Sequence, residues 1–276
     1  MENPLRLLAV FQFSMPERDL RLLGGLFLIA VLFGLFTIRK KLLTVGGAVL
    51  AGTTGLWVCY FAGFFYILPL MVHFLSSSLI SRIFGRSSLT SDEKDGKARD
   101  AIQVFCNGGI YMLLSTFLHS NGQLNEVMLI AMASSIAVSA SDTWASEIGS
   151  GLNGTVIDLL TFKVVPPGIS GGISFWGTLA GLAGAGCIAL LFLLNGISGF
   201  ATCVITSAGF AGMLLDSLIG AFFQKKYLQK ATGILSDRML EDSVLISGLG
   251  WMSNDLVNLI SNGVIVLGLA ICYHFS

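Results

Sequence analysis

The sequence predicts an all-α, polytopic membrane protein of about eight transmembrane helices, forming one integral-membrane domain over residues 1–276. Apolar residues make up 54% of the chain and charged residues only 12%, whereas a soluble domain carries roughly 25% charged residues. The mean hydropathy is +0.81, and apolar runs of the length needed to cross a bilayer recur along the chain. This composition excludes a soluble domain. The zero net charge, with basic residues only in short clusters, excludes a nucleic-acid partner.

The apolar runs divide into eight candidate spans when each is counted at about 17 to 25 residues. They lie at residues 22–38, 42–81 (two spans), 101–118, 127–149, 164–215 (two spans, divided at 195–199) and 243–275. A tail at 1–21 precedes the first span, and a short re-entrant piece ending near Trp251 is expected to precede the last.

The distribution of Lys and Arg predicts the orientation of these spans, because loops rich in basic residues stay in the cytoplasm. Four loops would share one side of the membrane, and they hold 13 of the 16 Lys and Arg residues. They are 39–41, 82–100, 150–172 and 224–242. We therefore expect a protein of the cell (plasma) membrane with 82–100 and 224–242 as cytoplasmic loops.

Carboxylates and amides within apolar runs are costly in a membrane and usually functional. Here they gather toward the predicted cytoplasmic ends of four spans, where Asp142, Glu147, Asp216 and Asp255 would meet in one leaflet. Carboxylates with amide neighbours are hard oxygen ligands of the kind that Mg²⁺ prefers when it also holds phosphates. The pattern predicts that these four acids bind Mg²⁺; the alternative is that each acid pairs with a buried polar residue and joins helices.

Two segments beside these acids have features of phosphate binding. The glycine- and proline-rich loop that follows Lys163 offers backbone N–H groups next to the start of a helix, although such motifs also mark ordinary turns. Lys97 and Arg99 lie close to an amide pair spaced four residues apart. The residues expected to bind phosphate or nucleotide are Lys97, Arg99, Gln103, Asn107, Lys163, Gly168, Ser170, Gly171, Gly172, Asn254 and Asn258.

Six segments together resemble an integral-membrane family that includes the phytyl-phosphate kinase of plant chloroplasts and transmembrane protein 19 of animals. They are the stretches at 74–78, 103–109, 141–149, 165–172, 216–220 and 251–258. The resemblance implies transfer of a phosphoryl group from a nucleoside triphosphate, CTP or ATP, to an isoprenoid monophosphate, which gives the diphosphate. Cys106 stands where a small Ala is expected, and Ile169-Ser170 where Thr-Asn is usual.

This chemistry is compatible with the residues. A phosphate monoester has a second pKa near about 6 and is already a nucleophile at neutral pH. Phosphoryl transfer then depends mainly on positioning and on cations that neutralise developing charge. We expect Asp142, Asp216 and Lys163 to be the catalytic residues and Mg²⁺ to be the cofactor, with the isoprenoid tail in the membrane lipid.

Two other functions are compatible with the same residues. Intramembrane acids and amides next to Gly- and Pro-containing breaks also describe ion-coupled or lipid-phosphate transporters, in which Asn254 and Asp255 would be the coupling pair. A purely structural role for the polar residues is the third possibility. A transporter site is expected near mid-bilayer, whereas the acids here lie toward one side.

Overall fold

The computed structural model describes residues 20–84, 97–120, 123–152 and 154–274. Nearly all of the predicted tail at 1–21 and most of the predicted cytoplasmic loop at 82–100 lie outside these ranges. The described chain is mainly helical, and all eight predicted helices are present. They are α1 (Leu20–Arg39), α2 (Val45–Phe61), α3 (Ile67–Phe84), α4 (Ala101–Ser115), α5 (Glu126–Gly151), α6 (Phe175–Leu194), α7 (Gly199–Phe223) and α8 (Asn254–His274).

The structure corrects the expected number of membrane-spanning helices. Within the described residues, five helices are long and apolar enough to cross a membrane: α3 with the preceding turn, α5, α6, α7 and α8. The other three are shorter apolar helices. For example, α4 has 15 residues, or about 22 Å of helix, which is less than the roughly 30 Å of a hydrocarbon core.

Helix starts are set by polar side chains that cap free backbone N–H groups. Asp100 and Gln103 form a reciprocal capping box at the start of α4. Ser174 accepts a hydrogen bond from the backbone of Gly177 at the start of α6. The sixth helix therefore begins at Phe175, eleven residues later than the apolar run at 164 suggested.

Short strands occupy the connections between helices, where the sequence predicted loops or, at 243–247, the start of the last apolar run. They are β1 (His119–Ser120), β2 (Gln123–Leu124), β3 (Val156–Asp158), β4 (Val164–Val165), β5 (Gly172–Ile173), β6 (Lys226–Gln229), β7 (Leu235–Ser236) and β8 (Ser243–Ser247). The first two pair antiparallel, and the others form two three-stranded antiparallel sheets in the orders β4-β3-β5 and β7-β6-β8. The expected re-entrant piece before Trp251 is wrong, because β8 pairs there with β6.

The fifth helix is the centre of the bundle and packs against α3, α4, α6, α7 and α8. Every residue from 131 to 141 is buried, and most of these are Ala or Ser. Small side chains allow neighbouring helices to approach closely in a membrane. Toward the end of the bundle that carries Tyr66, the core is apolar, and the buried Tyr111 hydroxyl donates to the Tyr66 carbonyl at 2.7 Å. The opposite half of α5 carries the polar residues.

Candidate functional site: a buried acid and amide cluster

The described parts of the four basic loops meet at one end of the bundle. Arg82 Nη2 donates to the Lys40 carbonyl at 2.7 Å, which joins the end of α3 to the α1–α2 connection. Ser170 N donates to Asp237 Oδ2 at 2.7 Å and so joins the two three-stranded sheet regions. We call this end the basic end. The predicted acids and amides lie on the helix termini just beneath it.

Asp216 on α7 is a buried acid of this end, with 7% of its surface exposed. Ser261 Oγ donates to Asp216 Oδ2 at 2.9 Å. When the Asn258 side-chain amide is oriented so that both its oxygen and its nitrogen have suitable hydrogen-bond partners, Asn258 Nδ2 also donates to Asp216 Oδ2 at 2.9 Å. Asp142 on α5 lies close enough for its charge to act on Asp216. The structure thus brings together Asp142, Asp216 and Asn258, three of the residues predicted for the site.

A set of polar contacts joins α8 and α5 to α4. Ser139 Oγ donates to the Asn107 carbonyl at 2.8 Å, and Asn262 Nδ2 lies 3.3 Å from Ser139 Oγ. The Asn107 side chain donates to the Gln103 carbonyl at 2.9 Å. Asn107 and Gln103 therefore share a helix face, as their spacing of four predicts, and Ser139 connects that face to α5.

Glu147 lies about one and a half helical turns after Asp142 on α5 and belongs to a second group of polar residues. Its carboxylate accepts a hydrogen bond from Ser81 and interacts with the charges of Asp142 and Arg99. Burial lowers the pKa of Arg99, and the Glu147 carboxylate opposes this shift. The backbone of Arg99 is fixed by hydrogen bonds of 3.0 Å to Leu42 and to Thr44. Arg99 is thus a basic residue, among those predicted to bind phosphate, whose charge interacts with an acid of this group.

The glycine-rich loop packs against the end of α7. Gly168 and Gly171 have φ angles of +87° and +85°, which glycine adopts without strain. A Cβ at Gly171 would collide with Ala221. The backbone N–H of Ser170 donates to Asp237 Oδ2. The backbone N–H of Gly172 donates to the Ile169 carbonyl at 3.1 Å. Two of the N–H groups expected to bind phosphate are therefore already occupied.

Lys163 is exposed in the connection between β3 and β4. Its carbonyl accepts from the Asp158 backbone at 2.9 Å, and the ion pair of this region is formed by Lys226 with Asp158, at 3.7 Å. Burial alone would raise the pKa of Asp158, but hydrogen bonds from Thr161 and the charge of Lys226 outweigh it and hold the pKa below its usual value. The structure places Lys163 beside a structural ion pair and shows no contact between its side chain and the acids in the described region.

The other predicted residues take separate positions at the same end. Asp255 is buried in the first turn of α8 with 5% exposure, Asn254 begins that helix, and Lys97 is exposed ahead of α4. In the described part of the chain, no three His, Cys, Asp or Glu side chains are grouped closely enough to hold one metal ion. Mg²⁺ usually takes one or two carboxylates together with substrate phosphates and water. The pair Asp142 and Asp216, with the Asn258 amide, fits that smaller ligand set.

Several members of the cluster were not predicted from the sequence. Ser261 and Asn262 continue the spacing of three and four that begins at Asn254 and Asn258, so helical periodicity could have identified them. Ser139 lies one turn before Thr143, in a buried run of hydroxyl residues. By contrast, Asp237 lies in a loop after β7, and no pattern in the sequence connects it to Ser170 or to Gln224, whose amide donates to it at 3.2 Å.

The helical bundle and its buried acid and amide cluster define an integral membrane protein with a polar site at one end. The chain belongs to the family described as integral membrane protein DUF92, which it matches over residues 28–266. It is 35% identical over 211 residues to uncharacterized membrane protein MJ0933 of Methanocaldococcus jannaschii, covering 76% of this chain and 86% of that protein.

Two Arabidopsis thaliana proteins are also similar. Protein PGR is 27% identical over 261 residues, 85% of this chain and 90% of that protein. Protein VTE6, chloroplastic, is 27% identical over 229 residues, 79% of this chain and 60% of that protein. No solved structure matches the chain. The family that the sequence motifs resemble is confirmed.

Proposed function

We propose that this protein is an isoprenoid-phosphate kinase that transfers the terminal phosphoryl group of CTP or ATP to an isoprenoid monophosphate. The observation that carries the proposal is the buried Asp216, which accepts hydrogen bonds from Ser261 and Asn258 at the basic end of a membrane bundle. The half-buried Asp142 lies close enough for its charge to act on Asp216. Similarity to VTE6 and the family motifs support the choice of reaction. Among the described residues the structure shows no ion pair of Asp142 or Asp216 with Lys or Arg. Two close carboxylates of this kind are costly in a membrane, and bound Mg²⁺ would neutralise them.

In this proposal the substrate phosphate is itself the nucleophile and needs no general base. Asp142 and Asp216 would hold Mg²⁺, which would supply charge neutralisation to the nucleotide phosphates. Arg99 lies beside the amide pair Gln103 and Asn107, and these groups hold the acceptor phosphate next to the acids. The acceptor oxygen forms a bond to the terminal phosphorus, and the bond to the nucleoside diphosphate breaks.

The direct test is a product assay. We expect purified protein with labelled CTP or ATP, Mg²⁺ and farnesyl or phytyl phosphate to produce the corresponding diphosphate, and EDTA to abolish the product. The corresponding free alcohols should give none, because the phosphate is the nucleophile. Failure to form any diphosphate across a panel of nucleotides and isoprenoid phosphates would refute the kinase proposal.

We place the basic end on the cytoplasmic side of the plasma membrane because Lys and Arg concentrate in loops that stay inside. A cysteine introduced at Lys230, which is exposed beyond β6, should react with a membrane-impermeant reagent only after the cells are opened. Labelling of intact cells would reverse the orientation and place the acids on the outer face.

A transporter is the second candidate, because polar residues of α4, α5, α7 and α8 are connected through the bundle by Ser139, Asn262 and Ser261. Isoprenoid-phosphate-driven ion movement or lipid-phosphate flux in proteoliposomes would favour this function. Flux equal to that of protein-free liposomes, together with diphosphate formation, would favour the kinase.

A further inference from the structure

An apolar cavity of about 320 Å³ lies between the first four helices. Its walls come from Phe33 of α1, Gly55 of α2, Met71 of α3 and Gly108 of α4, among others. Its volume falls in the range of roughly 300 to 1,000 Å³ found for small-ligand sites. The cavity is separate from the acid pair, which lies among α5, α7 and α8.

The cavity runs from the basic end toward the opposite end of the bundle. Arg99 and Gln103, at the start of α4, line one extremity. Phe64, in the turn after α2, lines the other. His73 also lines the wall, with its Nδ1 3.3 Å from Ser77 Oγ. The lining is thus apolar along most of its length and has a cation and amides at one end.

The polar end of the cavity adjoins the acid cluster. Asn107 lines the cavity, and its carbonyl accepts the hydrogen bond from Ser139 of α5. Glu147, on the same face of the basic end, interacts with Arg99. A ligand headgroup beside Arg99 would therefore lie between an apolar channel and the acids proposed to hold the nucleotide.

We infer that this cavity binds the hydrocarbon tail of a single-chain isoprenoid monophosphate, with its phosphate against Arg99, Gln103 and Asn107. The inference rests on the proposed function for the identity of the headgroup. Charge complementarity supports the phosphate, because Arg99 is a cation that lines the polar end and bidentate contact with phosphate is characteristic of Arg. One apolar cavity with one polar end suits a single chain better than a two-chain phospholipid.

Two glycines of α2 allow the cavity to be filled without disturbing the fold. A Cβ at Gly55 would have nothing within 4 Å, and one at Gly52 would meet only Ala30 Cβ at 3.8 Å. Gly55 lies ten residues into α2, about 15 Å along the helix from the basic end. A Leu there should exclude the distal part of a long chain and spare a short one.

The experiment measures binding of tritiated farnesyl phosphate to purified protein in detergent, without nucleotide. We expect Gly55→Leu to weaken binding roughly tenfold or more, because displaced methylene groups lose apolar burial. Dimethylallyl phosphate, with one isoprene unit, should bind Gly55→Leu as it binds the wild type. The matched control is Gly268→Leu on α8, where an added Cβ also has nothing within 4 Å, and it should bind both ligands normally.

Two further binding measurements test which headgroup and which class of lipid the cavity accepts. Arg99→Gln should remove the preference for farnesyl phosphate over farnesol, and Arg99→Lys should restore part of it. Phosphatidic acid should compete poorly. Equal competition by phosphatidic acid, or unchanged farnesyl phosphate binding in Gly55→Leu, would overturn the inference.

A photoaffinity experiment tests the cavity as the tail-binding site independently of the proposed kinase activity. A farnesyl phosphate analogue with a diazirine at its distal end should label peptides of α2 or α3, and the label should disappear in Gly55→Leu. Cavity-dependent labelling in a protein that forms no diphosphate supports the site and refutes the kinase. Diphosphate formation with labelling confined to other helices supports the kinase and refutes the site.

Discussion

Replacing Asp216 with Asn should abolish most diphosphate formation while leaving the fold intact. The change preserves the shape of the side chain and leaves an oxygen that still accepts hydrogen bonds from Ser261 and Asn258. It also relieves the repulsion from Asp142 but removes an ionic ligand for Mg²⁺. We expect kcat to fall by roughly 100-fold or more, as when one electrostatic group is removed from a preorganised site.

Thermal unfolding in detergent supplies the second readout for this variant. Mg²⁺ with nucleotide should raise the melting temperature of the wild type, because ligand at one hundred times Kd adds about 2.7 kcal/mol to the free energy of unfolding. The same ligands should have little effect on the melting temperature of Asp216→Asn. Glu126→Gln is the matched control: Glu126 is exposed in the first turn of α5, at the opposite end of the bundle, and its loss should change neither activity nor stability.

Asp216→Asn would contradict the proposal if it were strongly destabilised while Mg²⁺ and nucleotide failed to stabilise the wild type. That result would indicate a structural partner for Asp216, because removing one member of a buried ion pair can cost about 3 to 5 kcal/mol. The described Asp216 side chain accepts hydrogen bonds from a hydroxyl and an amide and is influenced by the charge of another acid. We therefore expect Asp216→Asn to lose activity and to keep its fold.

Replacing Gly209 with Leu should cause the largest loss of stability. Gly209 lies where α5, α6 and α7 meet, and a Cβ there would be 2.8 Å from Ala185 Cβ and 2.9 Å from Ala137 Cβ. The three helices would have to separate, at a cost above the roughly 1 to 3 kcal/mol of ordinary overpacking. We expect a markedly lower melting temperature or failure to purify as a folded monodisperse protein.

The control for this variant is Gly186→Leu on α6, where an added Cβ has nothing within 4 Å. Its stability should equal or slightly exceed that of the wild type, because Leu favours helix over Gly by up to about 1 kcal/mol. Equal melting temperatures for Gly209→Leu and Gly186→Leu would show that the close contact among the three helices does not limit stability.

Some features of the site could be predicted because they depend on helical spacing alone. Gln103 and Asn107, like Asn254 and Asn258, are four residues apart, so each pair shares a face in any helix. The acids in apolar runs were recognisable because burial makes them costly. Ser81 beside Glu147 and Asp237 beside Ser170 were not predictable, since these contacts join segments 66 and 67 residues apart.

The sequence by itself determined that the chain is a helical membrane protein with its polar groups toward one end. Hydrophobic burial depends on composition and run length, which are visible in one dimension. Only the tertiary structure decided that five helices reach spanning length and that the donors of Ser170 and Gly172 are occupied. These outcomes depend on how helices and loops pack against distant segments, because a hydrogen-bond donor takes whichever partner the fold places beside it.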